Sequence, residues 1–193
     1  MKYHFLHRFY LCILFLFFTL SAQAADVYTL DPMHTYVAWR INHFGFSNPS
    51  GKWMANGTLT LDDKKPQDSK VSVTIQTANV VTGIAQLDEH LQGKLFFDVA
   101  EFPTATFVSN KIDIKGKNKA LVHGILTLRG ISKPVTLDVT LNKMGVNPIT
   151  NKNAVGFSAT AQIKRSDFGM TTLLPGLSDD VKLNIEAEGF KNS

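Results

Sequence analysis

A chain of 193 residues, with 44% hydrophobic, 10% aromatic and 19% charged side chains, is long enough for one large core and too apolar for a disordered segment. Its net charge of +4 falls to +2 once residues 1–24 are set aside, and it has no lysine/arginine cluster of the size that tracks nucleic acid, so no nucleic-acid partner is expected. The single cysteine, Cys12, lies within those first residues, which leaves no thiol for a disulfide framework or a covalent mechanism.

In chain order, basic Lys2 and Arg8 precede an apolar run from Phe9 to Leu20 and then Ser21-Ala22-Gln23-Ala24. This is the three-part pattern of a cleavable secretory signal peptide, with cleavage after Ala24. The apolar run falls short of the roughly 20 residues that a spanning helix needs, so no permanent membrane anchor is expected. The working protein is read as one exported domain, 25–193, in the periplasm or released from the cell. No repeat, low-complexity tract or linker divides it.

Period-two alternation then dominates. Segments 36–42 and 54–61 read as strands, and Val71, Val73 and Ile75 alternate with Ser72, Thr74 and Gln76. Over 84–97 the pattern changes: Leu87 and Leu91 stand four apart with polar Asp88, Glu89 and His90 between them, which predicts a short amphipathic helix. Strands resume at 104–109 and 120–128, with the charge-interleaved segment 111–119 read as a solvated hairpin. Val135, Leu137, Val139 and Leu141 alternate with Thr136, Asp138 and Thr140. Val155, Phe157, Ala159, Ala161 and Ile163 form the next row, and Val181, Leu183, Ile185 and Ala187 the last. Turn residues punctuate the series at 48–51, 62–66, 115–118 and 144–148. About eight strands with one wet face each make an antiparallel barrel or a sandwich.

Catalytic and metal signatures are weak by comparison. His34, His43, His90 and His123 are spread over four segments, and nine residues of extended strand would hold His34 and His43 roughly 30 Å apart, too far for one ion. No serine stands in a Gly-x-Ser-x-Gly turn, and Asp88, Glu89 and His90 read as the wet face of the helix rather than as acid/base groups. Asn56-Gly57-Thr58 matches a glycosylation sequon, which has meaning only in a secreted eukaryotic protein. Aromatic residues in or beside the strands, with small residues such as Ala38, Ala55, Ala105, Gly124, Ala159 and Ala161 on the same elements, fit either a filled core or the walls of a cavity for one apolar ligand.

Four blocks in order resemble the YceI-like family. They are Leu30-Asp31-Pro32-Met33-His34-Thr35, with a strand ending Asn42-His43-Phe44-Gly45 and then Gly51-Lys52-Trp53; Asp88-Glu89-His90-Leu91 with Phe96-Phe97-Asp98 and Glu101-Phe102-Pro103; Gly124 to Val135; and Lys164-Arg165-Ser166-Asp167-Phe168-Gly169-Met170. The family pattern has an arginine where this chain has Leu87. The resemblance implies a lipocalin-like eight-stranded antiparallel barrel in a bacterial envelope protein, and a non-catalytic role: binding a polyisoprenoid, quinone or long-chain fatty acid or amide. It implies no cofactor beyond a co-purifying lipid, and a homodimer is compatible with it. Residues expected at the ligand are Trp39, Phe44, Trp53, Phe107, Leu126, Phe157 and Phe168 along the tail, with His43, His90 or Arg165 near a polar head. The alternative is a filled barrel acting as a structural or stress-response module through its outer surface.

Overall fold

Among the described residues nine strands wind around a barrel that has eight positions. In the computed structural model, which describes residues 25–192, the strands are β1 (Asp26–Leu30), β2 (Tyr36–His43), β3 (Ser50–Leu61), β4 (Lys70–Gln76), β5 (Thr104–Ile114), β6 (Lys119–Leu128), β7 (Ile131–Val146), β8 (Asn153–Lys164) and β9 (Leu177–Lys191). One helix, α1 (Ala85–Gln92), lies between β4 and β5. The predicted signal peptide lies outside the described residues. Among the described residues no helix is long and apolar enough to cross a membrane.

Every strand pair is antiparallel, and β2 through β9 form a closed ring because β2 pairs with both β3 and β9 while β3 pairs with β4. β1 pairs with the same two neighbours as β2, with Thr29 opposite Thr58 of β3 and Phe190 of β9. The two strands therefore share one barrel position, broken at Asp31–Thr35. Buried Thr35 repairs the ladder across the break. Its hydroxyl donates to the Glu188 carbonyl (3.1 Å) and accepts the Glu188 N–H (3.2 Å), while its own carbonyl accepts the Ala55 N–H (2.9 Å). The backbone groups that the break would orphan are thus paired.

Register follows from the apolar alternation. Phe157, Ala159, Ala161 and Ile163 of β8 stand opposite Ala187, Ile185, Leu183 and Val181 of β9, so both rows face the interior together. A slip of one residue would turn them to water. Between β6 and β7 the two-residue connection Arg129-Gly130 has positive φ at both positions (54° and 71°), the requirement of a type I′ hairpin.

The two ends of the barrel differ. One carries the loops 62–69, 115–118 and 147–152 together with both described termini; the other carries 44–49, 77–103, 129–130 and 165–176. The longer segments at the second end fold inward and close it.

Several boundaries depart from the sequence pattern. β1 was not expected. β3 begins at Ser50, inside the predicted turn at 48–51, and the backbone of Gly51 lies against the Trp39 ring, where any β-carbon would collide. The predicted helix 84–97 is helical only to Gln92, after which tight turns drop Phe96 and Phe97 into the core. A bulge between Leu141 and Lys143 lets β7 continue to Val146.

Candidate functional site

Within the barrel the interior holds a packed floor, a smaller cluster of Tyr28, Leu59 and Val155 against which Leu61, Val71, Leu141 and Phe157 pack, and a cavity. The floor is a cluster containing Trp39, Trp53, Leu91, Phe96, Phe97 and Phe168. Trp53 meets Phe97 edge to face at 4.9 Å between centroids and donates its indole N–H to the Thr77 carbonyl at 3.1 Å. Trp39 packs tilted against Trp53 at 6.5 Å. Aromatic pairs in these geometries are favourable beyond their buried area.

A buried guanidinium organises one side of this floor. Arg165 donates to the carbonyls of Ser178 (2.8 Å), Met170 (2.7 Å) and Leu177 (2.8 Å), tying the 165–176 loop to the start of β9. Burial lowers its pKa and nearby Asp179 opposes the shift; the group nonetheless stays charged, as guanidinium does in proteins. Asp179 accepts the Ser166 N–H and hydroxyl, both at 2.8 Å. Its burial, which alone would raise its pKa, is outweighed by these bonds and by Lys164 and Arg165, so its carboxyl lies below the usual range.

Above the floor lies a cavity of about 370 Å³, within the roughly 300–1,000 Å³ usual for small-molecule sites. Its wall is built from inward-facing aliphatic rows: Val71, Val73 and Ile75 of β4; Val135, Leu137 and Val139 of β7; Leu183, Ile185 and Ala187 of β9. Phe107 and Phe157 are the aromatic side chains on it. Ionisable groups lie only at the rim, where Asp62 and Asp63 face Lys117 and Lys119 around the 62–69 and 115–118 loops. An apolar interior behind a charged rim can hold a long tail and keep a polar head in water; among the described residues its lining away from the rim carries no carboxylate, histidine or lysine. Among the described residues no group of three or more histidine, cysteine or acidic side chains is placed to hold a metal ion.

Of the ten residues expected at the ligand, Phe107, Leu126 and Phe157 line the cavity. Trp39, Trp53 and Phe168 are buried in the floor. Phe44 stands half-exposed over Gly176 at the closed end, with the His43 ring edge-on to it at 4.8 Å. His90 is on α1 against Phe96 (5.0 Å), and Arg165 is spent on the loop carbonyls. None of these last four lies at the rim. The wall itself is mostly aliphatic. Its residues were visible in the same alternation that located the strands, since the apolar member of each alternating pair faces inward.

The YceI-like domain pattern matches residues 28–189 of the chain, the whole of the barrel except its outermost strand ends. The chain belongs to the YceI-like family. Protein YceI of Salmonella arizonae is 41% identical over 179 residues, covering 91% of this chain and 93% of that one. Among solved structures, BcnA of Burkholderia cenocepacia superposes with a TM-score of 0.75 at 26% identity, covering 82% of this chain and 98% of that one. A polyisoprenoid-binding domain from Saccharophagus degradans, implicated in plant cell wall breakdown, superposes with a TM-score of 0.67 at 14% identity, covering 88% and 100%. As in these YceI-like barrels, eight antiparallel positions close around the interior; the packed floor and the aliphatic cavity described above are read from this chain's own residues.

Proposed function

We propose that this protein is a non-catalytic carrier of a long amphiphilic lipid, such as a polyisoprenoid, a quinone or a long-chain fatty acid or amide. The cavity carries the reading: about 370 Å³, lined mostly by aliphatic side chains and charged only at its rim. Burying ten carbons of a tail there is worth roughly 8 kcal/mol at ~0.8 kcal/mol per methylene, before the cost of ordering the chain. The Saccharophagus degradans domain speaks for the fold at its level of identity, and its polyisoprenoid is one member of the proposed ligand class. The polar head sits at the rim, within reach of Lys117 and Lys119, rather than beside His43, His90 or Arg165. With the leader of residues 1–24, the working compartment is the periplasm, an aqueous space in which such a tail needs cover.

Solvent extraction of the purified protein, followed by mass spectrometry, is expected to release a lipid with a long apolar tail. Protein stripped of it should take up an added polyprenol in stoichiometric amount. Recovery of no lipid together with no uptake overturns the reading in favour of a barrel that acts through its outer surface.

A further inference from the structure

The charge of the described barrel is polarised along its axis. The three loops at the open end, taken with their flanking residues (62–70, 111–119 and 143–152), hold nine lysines, all exposed, against four aspartates. The segments at the closed end, 44–49, 77–103, 129–130 and 164–180, hold seven acidic residues against four basic ones. A net +5 at the mouth therefore faces a net −3 at the floor. Two of the mouth's aspartates are further engaged within the fold. Asp62 accepts the N–H groups of Lys64 (3.0 Å) and Lys65 (2.8 Å), and Asp113 is held by Lys111 and His123.

Among these lysines stand apolar side chains with no cover. Ile149 is 91% exposed, Val146 54%, Ile114 45% and Met144 43%. Their exposure is built in. β6 ends its pairing at Lys119, opposite Thr140, and Asn118 still accepts the Leu141 N–H (2.8 Å); the ladder to β6 goes no further, and the β7–β8 hairpin overhangs the mouth. Met144 lines the cavity, and Val146, two residues on, extends the same face past the rim. At the tip, the Asn147 side-chain oxygen accepts the N–H groups of Ile149 (2.9 Å) and Thr150 (3.0 Å), and its carbonyl accepts that of Asn151 (2.9 Å). The loop is thus hydrogen-bonded in the form that presents Ile149 outward.

We propose that the open end docks on an anionic lipid bilayer, with Ile149 and Val146 entering the interface and the surrounding lysines resting on the head groups. The inference deepens the carrier reading, on which it rests, by naming the surface from which the cavity is filled. Lysines near an anionic surface each add to the attraction within a Debye length, and apolar side chains at a basic face bury themselves at the head-group boundary. The acidic closed end is repelled by the same surface, so the field turns the mouth toward the bilayer. A second copy is disfavoured mouth to mouth, because +5 would meet +5.

The test is flotation with vesicles of mixed phosphatidylcholine and phosphatidylglycerol against vesicles of phosphatidylcholine alone. Full-length mature protein is expected to float with the anionic vesicles only, and to be released by added salt. Ile149, Lys115 and Lys152 are not among the residues that line the cavity, and Ile149→Glu and the double variant Lys115→Glu, Lys152→Glu are each expected to weaken flotation about tenfold or more. Uptake of a detergent-dispersed polyprenol by both should match that of the unaltered protein. Equal flotation with both vesicle types, flotation with neither, or variants that float like the parent would overturn the docking. Docking without polyprenol uptake would instead support this surface and defeat the carrier reading; uptake without docking would do the reverse.

Discussion

Ala159 is, with Ala161, the smallest side chain of an inward-facing row, and stands opposite Val139 of β7 and Ile185 of β9. It lines the cavity and belongs to neither of the two packed clusters. Ala159→Phe adds six carbons pointing into the cavity. If the space is what the ligand fills, those carbons displace about as many of the tail, a loss of roughly 5 kcal/mol at ~0.8 kcal/mol per carbon, or about three orders of magnitude in Kd. The lipid-free variant should be no less stable than the parent, because the ring gains contact without crowding anything. In a filled interior the same substitution would overpack, costing about 1–3 kcal/mol of stability. Urea denaturation of stripped protein and equilibrium uptake of a polyprenol separate the cases. A lowered unfolding midpoint with unchanged uptake would refute the cavity as the binding site.

Arg165→Ala leaves the carbonyls of Ser178, Met170 and Leu177 without their donor; the expected loss is about 3–5 kcal/mol by urea denaturation, and Arg165→Lys should recover less than half, since one ammonium cannot replace a planar fork. Trp53→Ala, which opens the floor and removes the bond to Thr77, should cost about 3–5 kcal/mol in the same measurement. At the break between β1 and β2, the His34 ring lies 2.6 Å from the Asp31 carboxylate, a bond that raises the His34 pKa and lowers that of Asp31. The contribution of His34 is complete below its ordinary pKa of about 6.5 and fades as pH rises through its raised value; that of Asp31 is present above about 4 and is lost as pH falls through its depressed value. An NMR titration should find His34 above its ordinary value, and Asp31→Asn should bring it back down.

The strands were legible because each barrel wall has one wet face, and alternation is the direct imprint of that condition. The same rows, Val135-Leu137-Val139 and Leu183-Ile185-Ala187, line the cavity, but alternation alone does not separate a cavity wall from a filled core. Among the aromatics expected at the ligand, Phe107 and Phe157 line the cavity while Trp39, Trp53 and Phe168 lie in the floor. Trp39 and Trp53 alternate inward as correctly as any valine, yet how deep a residue sits along the axis depends on shear between strands and on which loops fold inward, and neither is encoded in a single strand. Arg165 was harder still. A charged residue beside a loop reads as exposed until the carbonyls of Met170, Leu177 and Ser178 are known to converge on it. β1 escaped notice because five residues ending at Leu30 are too few for a clear period, and its pairing depends on Thr35 carrying the ladder past the break.

A barrel with one packed end and one open end constrains transport in a way that a through-channel would not. The floor is held by the bond from Trp53 to Thr77 and by the three bonds of Arg165, so a tail that reaches Ala105 and Leu126 has no path onward. Loading and release then share the mouth. The barrel alone cannot impose a direction on that exchange; direction must come from a difference between what donates the lipid and what accepts it. If the protein carries a lipid as proposed, a head group near Lys117 and Lys119 would be the first part to leave, and the rate should depend on the rim far more than on the floor. Replacing exposed Phe46 at the closed end by serine should accordingly leave the rate of lipid transfer between vesicles unchanged, whereas Lys117→Glu with Lys119→Glu should alter it several-fold, because these two lysines line the charged rim.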